Sequence, residues 1–276
     1  MLIADGQVHI WRANTPERPW SPCFVPAHRK EPLSKDGLLA EMDIAAVKRA
    51  ILIVPPWEGY CNGFPLEAAR AHPDRLAVMG RLAIECIESR ALIDDWKKCP
   101  GMLGMRLMFH TPVFRSWLSD GTADWIWSAA ERANIPLMVL APGSLPIIDQ
   151  IAARHAGLKL CVDFLGLPAG LKDGAAFADL ATLIDLAKRP NVVVKAGAFP
   201  CYSSEPYPYR GIHQYLERVF DAFGPHRIFW ASDLTRLTCS YRECITLFTE
   251  ELPFLSSADK ELIMGRAMCE WLGWAL

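Results

Sequence analysis

The stretch Arg49-Ala50-Ile51-Leu52-Ile53-Val54 decides the fold class of this 276-residue chain. Apart from Arg49 it is apolar throughout, without alternation, which is typical of a strand buried on both faces of a parallel sheet. Val192-Val193-Val194 has the same character. Eight apolar runs of this kind recur along the chain: Leu2–Ile10, Arg49–Val54, Arg75–Leu82, Leu103–Phe109, Pro136–Ala141, Leu158–Leu165, Asn191–Gly197 and Arg227–Asp233.

Segments with the helical period separate the apolar runs. They are Leu38–Lys48, Glu88–Lys98, Asp124–Ala133, Leu145–His155, Phe177–Ala187, Tyr215–Phe223 and Tyr241–Glu251, together with a short helix before Pro73 and a terminal helix over Ser256–Trp274. This alternation predicts a (β/α)8 TIM barrel, in a single domain over residues 1–276, with an extra C-terminal helix. The alternative, an open doubly wound sheet, would carry a glycine-rich loop after its first strand, and Gly6-Gln7-Val8-His9 is not one.

The composition excludes several classes of protein. The chain is 51% hydrophobic and 22% charged, with a net charge of −2, which argues against a nucleic-acid partner. No apolar run reaches the roughly 18–20 residues that span a bilayer, and the first residues do not resemble a secretory signal. Nine cysteines without a CxxC pair indicate reduced thiols rather than a structural zinc site. We therefore expect a cytoplasmic protein that acts on a small molecule without nucleic acid or membrane, and the sequence leaves homo-oligomerisation open.

The carboxyl ends of the strands are where a TIM barrel carries its chemistry. The residues predicted at these ends are Gln7, His9, Trp11, Arg106, His110, Asp163, Phe164, Lys195 and Asp233. Trp57, Glu58, Tyr60 and Arg236 also fall near strand ends, without an assignable role, whereas His28 and the histidines other than His9 and His110 are predicted on loop or helix surfaces. The proline-rich segment Arg12–Pro32 is long enough to cover the barrel mouth as a lid.

Seven short motifs follow one another along nearly the whole chain. They are Asp5-Gly6-Gln7-Val8-His9-Ile10-Trp11, His72–Arg75, Gly101–Arg106, Val162–Pro168, Pro190–Lys195, Phe223–Arg227 and Ala231–Asp233. In this order they resemble the motifs of amidohydrolase family 2, the TIM-barrel hydrolases that include 2-pyrone-4,6-dicarboxylate lactonase and sugar lactonases. The resemblance implies a barrel fold and hydrolysis of a lactone or a related cyclic ester or amide.

The chain departs from this family at positions that hold metal. Gln7 stands where the family has the first histidine of strand one, Phe164 replaces a histidine after strand six, and Ala141 ends strand five without one. By the resemblance, only His9 and Asp233 remain as ligands, which are too few for a tight zinc or manganese site. We therefore expect no metal cofactor. The resemblance also implies that the lactonase branch hydrolyses its substrates without an obligatory metal.

The predicted roles follow from the resemblance together with the chemistry of each side chain. Asp233 would deprotonate the attacking water, and His9, beside Gln7, would polarise the scissile carbonyl. Arg106 and Lys195 would hold an anionic group of the substrate. The remaining substrate-binding candidates are Trp11, Phe164 and His110.

Each role has a structural alternative. His9 could be a core histidine bonded to a backbone carbonyl, Asp233 could cap a helix, and Arg106 could be an ion-pair partner of Asp163. Two other functions stay open at this point: a non-oxidative decarboxylase of an aromatic acid, which would depend more on a metal, and a catalytically silent binding protein.

Overall fold

The computed structural model describes residues 1–21, 27–29 and 31–276. It confirms the barrel, because eight parallel strands follow one another around a single sheet in sequence order. The backbone N–H of Asp233, beyond the last strand, donates to the carbonyl of Gln7 in the first, at 3.0 Å, so the sheet is nearly closed. The strands are β1 (Ala4–Val8), β2 (Arg49–Ile53), β3 (Leu76–Gly80), β4 (Met102–Met108), β5 (Leu137–Leu140), β6 (Leu160–Val162), β7 (Val192–Gly197) and β8 (Ile228–Ala231).

Helices connect most of the strands and cover the outside of the barrel. They are α1 (Lys35–Ile44), α2 (Gly63–Ala71), α3 (Pro112–Ser116), α4 (Asp124–Arg132), α5 (Leu145–Arg154), α6 (Asp173–Ala176), α7 (Leu180–Asp185), α8 (Arg210–Phe223), α9 (Tyr241–Thr249), α10 (Ser257–Glu261) and α11 (Ala267–Leu272). None of the helices in the described part of the chain is long and apolar enough to cross a membrane.

The helix predicted over Glu88–Lys98 is wrong. The chain instead forms two 3-10 segments, Ile87–Leu92 and Trp96–Lys98. Trp96 is buried, and its indole N–H donates to the carbonyl of Gly104 on β4, at 3.0 Å. This tertiary contact holds the chain against the barrel where a regular helix was expected, and so overrides the local apolar period.

The predicted terminal helix over Ser256–Trp274 is interrupted in its middle. A π-turn over Leu262–Arg266 separates α10 from α11. At Gly265 the backbone comes so close to β1 that an added Cβ would lie 2.7 Å from the backbone nitrogen of Ala4. The π-turn thus lets the C-terminal helices press against the amino end of the first strand.

The core has two layers that fix the strands relative to one another. Outside the sheet, apolar side chains of the strands pack against the helices. Inside the barrel, a second cluster is sealed by Met268 and Leu272 of α11 and includes Ile51, Met79, Met138, Val193 and Phe229. Since this packing closes the amino end of the barrel, the carboxyl ends of the strands form its open mouth.

Candidate active site

His9 and Asp233 meet at the barrel mouth, where the ends of β1 and β8 are neighbours. The Nε2 atom of His9 lies 3.2 Å from Oδ1 of Asp233, and both side chains are almost completely buried. Asp233 occupies the left-handed backbone region, with φ 49° and ψ 48°. A non-glycine residue adopts this region at a cost, so the turn after β8 keeps the carboxylate on the mouth at the expense of local strain.

The second ring nitrogen of His9 fixes its tautomer. Nδ1 lies 2.8 Å from the backbone carbonyl of Ile53 at the end of β2, and a carbonyl can only accept, so Nδ1 carries the proton. In the neutral imidazole Nε2 then has a lone pair, which faces a carboxylate oxygen. Two acceptors at this distance repel each other unless a cation, either a second proton or a metal ion, lies between them.

Although burial by itself would raise the pKa of Asp233, the contacts of this carboxylate reverse that effect. The hydrogen bond and charge of His9, and the charges of Arg236 and His28, hold the pKa of Asp233 well below its usual range. Nη1 of Arg236 lies 3.3 Å from Oδ2, on the oxygen that does not face His9. The carboxylate is therefore ionised at neutral pH.

His28 joins this pair, which the sequence did not predict. It comes from the long segment between β1 and α1, and its ring stacks edge-on against His9 with the centroids 5.3 Å apart. One ligand atom from each of His9, His28 and Asp233 can be chosen so that all three lie within 4.8 Å of one another. Burial is the main cause that lowers the pKa of His28 to about 3, so this imidazole is neutral at physiological pH and has a lone pair available.

Part of the segment that carries His28 is anchored at the end of β2. The buried carboxylate of Glu58 accepts from the backbone N–H of Arg12, at 2.8 Å, and from the guanidinium of Arg18, at 3.2 Å. Trp57 packs against the His28 ring, with the centroids 5.0 Å apart. The described part of Arg12–Pro32 therefore lies against the mouth, as a lid would, whereas residues 22–26 and 30 of the predicted lid lie outside the described residues.

Asp5 supports the junction of β1 and β8 from beneath. Its buried carboxylate accepts from the backbone N–H of Gln7 (3.0 Å), the backbone N–H of Ser232 (2.9 Å), the Ser232 hydroxyl and the Tyr241 hydroxyl (2.7 Å). These bonds tie residues next to His9 and Asp233 into one network. Burial nevertheless raises the pKa of Asp5.

Arg106, Asp163 and Lys195 form a buried charge cluster across β4, β6 and β7. Nε of Arg106 lies 2.9 Å from Oδ2 of Asp163, and Nζ of Lys195 lies 2.7 Å from Oδ1. The two cations outweigh burial and keep the pKa of Asp163 below its ordinary value. One carboxylate is thus shared by two cations, which leaves a surplus positive charge in the cluster.

A cavity of about 530 Å³, called the central cavity below, opens above these groups. Its volume falls in the range typical of small-molecule sites. Two polar atoms at its wall, Oε1 of Gln7 and Nδ1 of His110, have no hydrogen-bond partner among the described residues. Its walls are formed by Gln7, His9, Ala27, His28, Pro56, Arg106, Met108, His110, Leu140, Pro142, Phe164, Leu167, Ala169, Tyr202, Asp233 and Arg236.

Several predicted site residues therefore line one cavity: Gln7, His9, Arg106, His110, Phe164 and Asp233. The Nε atom of Arg106 pairs with Asp163, as its structural alternative predicted, while its side chain also lines the central cavity, so substrate binding by Arg106 stays a prediction. Two guanidinium groups lie over the aromatic ring of Phe164, with Cζ of Arg106 6.0 Å and Cζ of Arg236 5.4 Å from the ring centroid.

Lys195 and Trp11 lie elsewhere. Lys195 is completely enclosed and contacts Asp163 and the Gly6 carbonyl. Trp11 is buried against Trp57, with the ring centroids 5.3 Å apart. Neither residue is part of the central cavity wall described above, so substrate binding by these two residues stays a prediction.

Two polar wall residues were not predicted as site residues, for different reasons. His28 lies on a loop without periodicity, and only the folded chain brings it within reach of His9. Tyr202 belongs to a 3-10 turn over Phe199–Tyr202, within a segment whose sequence carries no recognisable motif. Arg236, predicted near the mouth without a role, contacts Asp233 directly.

The chain belongs to the amidohydrolase family, whose model matches residues 4–267, and this membership makes the barrel that of a TIM-barrel hydrolase. It is 24% identical to an L-fucono-1,5-lactonase of Burkholderia ambifaria, over 83% of this chain and 79% of that protein. It is 26% identical to the L-fucono-1,5-lactonase of Burkholderia multivorans, over 96% and 93% of the two chains. An amidohydrolase from Burkholderia multivorans with bound zinc has the same fold, with a TM-score of 0.82, 23% identity and 99% of both chains covered.

Proposed function

We propose that this hydrolase opens the ring of a small lactone, or a related cyclic ester or amide, that carries an anionic group. The observation that carries the proposal is the His9–Asp233 pair, buried at the wall of a cavity of small-molecule size. The similarity to two L-fucono-1,5-lactonases supports the ester class. The same similarity favours ring opening over the decarboxylase and the silent binding protein.

Asp233 is the proposed proton acceptor. Its Oδ1 faces His9, so Oδ2 is the proposed acceptor. A water would transfer a proton to Oδ2 while the water oxygen forms a bond to the lactone carbonyl carbon. When the carbonyl carbon–ring oxygen bond breaks, the proton returns to the departing alkoxide. The product is one open chain that carries an alcohol and a carboxylic acid, and at neutral pH the acid releases its proton to solvent.

His9, predicted to polarise the scissile carbonyl, has one ring nitrogen on Ile53 and the other facing Asp233, so we propose instead that His9 and Arg236 keep this carboxylate in place. The carbonyl of Ile53 holds the His9 ring, so the ring cannot rotate away from Asp233. Arg236 approaches the other carboxylate oxygen and contributes positive charge near the place where the oxyanion develops. Gln7 adds an amide oxygen that has no partner in the described part of the chain and can accept a hydrogen bond from the water.

The surplus charge of the Arg106 cluster supports an anionic substrate. An arginine cannot lose its proton, so a buried guanidinium needs acceptors. Arg106 donates from Nε to Asp163, and among the described residues the one acceptor of its Nη1 is the sulfur of Met108, at 3.4 Å, a weak acceptor. A carboxylate in the central cavity would supply the stronger partner.

The residues present also fit a divalent metal, contrary to the expectation of none, which considered only His9 and Asp233. Two ligands of a tetrahedral zinc are about 3.3 Å apart, close to the observed separation of Nε2 and Oδ1, 3.2 Å. The remaining nitrogen is held in both rings, by Ile53 in His9 and by the hydroxyl of Thr235, at 2.8 Å, in His28. Metal-binding histidines are oriented in this way.

If a metal is bound, His9, His28 and Asp233 would hold it. A bound zinc would polarise the substrate carbonyl and acidify water. Zinc is seen in the similar amidohydrolase of Burkholderia multivorans. The binding of zinc or manganese to this chain is part of the proposal.

A hydrolysis screen tests the proposed function. The protein is stripped with a chelator, divided into metal-free and zinc-loaded portions, and offered γ- and δ-lactones with and without a carboxylate, with acid release as the readout. We expect turnover of at least one carboxylate-bearing lactone by the wild type, and loss of it in D233N. No hydrolysis of any lactone in either metal state would contradict the proposal.

A further inference from the structure

A second cavity, of about 610 Å³ and called the side cavity below, adjoins the central one. The two share four wall residues, His110, Pro142, Leu167 and Ala169. The side cavity extends away from His9 and Asp233, neither of which lines it, toward the loop before α7. The proposed chemistry does not use this space.

The backbone after β6 divides its side chains between the two cavities. Phe164 and Leu165 are consecutive residues, both in the left-handed region with φ 53° and 55°. Phe164 lines the central cavity and Leu165 lines the side cavity. Two strained bulky residues in a row are costly. The strained turn places one apolar side chain in each of the two adjoining cavities.

The walls of the side cavity differ in chemistry from those near Asp233. Only four of them have polar side chains, and of these Arg115 and Asp179 are exposed to solvent while His110 and Thr182 are partly exposed. The rest are apolar residues and glycines, among them the buried Leu145, Leu165 and Leu180. A hydroxylated group against the apolar part of this wall would lose hydrogen bonds to water and find few partners in their place.

His110 stands where the cavities meet and is uncharged at neutral pH. Burial is the largest cause that lowers its pKa to about 4, with Arg106, Arg81 and Arg236 adding to the effect. Its Nδ1 has no hydrogen-bond partner among the described residues. A neutral imidazole at the junction can bond a polar ring atom of a ligand without forcing a charge into the apolar compartment.

We propose that the substrate carries an apolar arm, aryl or alkyl, which occupies the side cavity while the scissile ring lies in the central cavity. The inference rests on the proposed function for the identity of that ring. It departs from a polyhydroxylated sugar lactone, whose hydroxyl groups would meet mainly apolar walls in the side cavity. Each methylene that an arm buries there gains about fourfold in affinity, so a phenyl group gains tenfold or more.

Matched lactams test the inference by binding, and each sample is checked for an intact lactam ring after the titration. The probes are 2-piperidinone and 6-phenyl-2-piperidinone, titrated calorimetrically into wild type, A178W, A176F and A258W. Ala178 is an exposed wall residue of the side cavity, so tryptophan there is compatible with folding, whereas Ala176 is a buried one. Ala258 is exposed on α10 and is the matched control.

We expect the phenyl lactam to bind at least tenfold more tightly than 2-piperidinone to wild type and A258W. This advantage should fall to about threefold or less in A178W or in A176F. Equal affinities in the wild type, no measurable binding of the phenyl lactam, or an advantage that survives both side-cavity substitutions would overturn the inference.

A parallel assay separates this inference from the proposed function. Hydrolysis of δ-valerolactone is compared with that of its derivative that has a phenyl group on the carbon next to the ring oxygen. If the lactams discriminate but no lactone is hydrolysed, the apolar arm stands and the proposed reaction fails. If lactones are hydrolysed but the lactams do not discriminate, the arm fails alone.

Discussion

Nε2 of His9 lies 3.2 Å from Oδ1 of Asp233, while Nδ1 of the same ring lies 2.8 Å from the carbonyl oxygen of Ile53. The ends of three strands, β1, β2 and β8, therefore fix the position of the His9 ring between Asp233 and Ile53. Because the carbonyl can only accept, Nδ1 carries a proton, and Nε2 presents either a lone pair or a second proton to the carboxylate. The predictions below test what this arrangement and its neighbours do.

Replacement of Asp233 by asparagine should lower kcat by about 10²- to 10⁴-fold, since removal of a positioned general base has effects of this order. The asparagine has nearly the same shape, so circular dichroism should be unchanged. D221N, at an exposed position on α8, is the control and should retain wild-type turnover. Near-normal turnover in D233N would leave Asp233 with a structural role only.

Replacement of His28 by alanine should weaken zinc binding by at least tenfold, because it removes one of three protein ligands. Competition with a chromophoric chelator measures this affinity without reference to activity. H226A changes an exposed histidine and should bind zinc as the wild type does. If the wild type binds no zinc, or H28A binds it equally well, the metal site is refuted.

R106M should raise KM for a carboxylate-bearing lactone by about 10- to 100-fold, the effect of losing one charge-assisted hydrogen bond. kcat should change less if the contact is equally strong in the ground and transition states. Asp163 keeps its ion pair with Lys195, so the fold should persist. R218M, at an exposed residue of α8, is the control. An equal loss for a neutral lactone of the same ring size would show that Arg106 does not recognise the anion.

The Asp163 carboxylate should make the stability of the protein depend on pH in acid. Its pKa is lowered in the folded state, so its contribution is fully present above the unfolded value of about 3.9 and is lost as the pH falls through the lower folded value. D163N leaves Arg106 and Lys195 buried without a counter-charge, which should cost about 3–5 kcal/mol at neutral pH.

Urea unfolding from pH 7 downward measures this dependence. Below about pH 4 the wild type should lose stability more steeply than D163N, so that the two curves converge. D221N provides the control, because that carboxylate is exposed on α8 rather than placed in the buried cluster. A difference between wild type and D163N that does not change with pH would contradict the lowered pKa.

The strands and the polar residues at their ends were readable from the sequence. Runs such as Ala50–Ile53 are apolar without alternation because both faces are buried, and a polar residue that follows such a run, as His9 and Asp233 do, stands out. The helix predicted over Glu88–Lys98 failed because the Trp96 indole bonds to Gly104, which local periodicity does not reveal. The expectation of no metal lost its support for a similar reason, because the third possible ligand, His28, comes from a segment without periodicity.

The sequence by itself determined the barrel, its order of strands and the position of His9, Arg106 and Asp233 at the open end, because burial on both faces and the alternation with helices leave a local signature. Only the tertiary structure decided which groups meet. It paired Arg106 and Lys195 with one Asp163, brought His28 to His9, and placed an apolar cavity beside the central one. These relationships join residues far apart in the chain, so they depend on barrel closure and loop packing rather than on any local pattern.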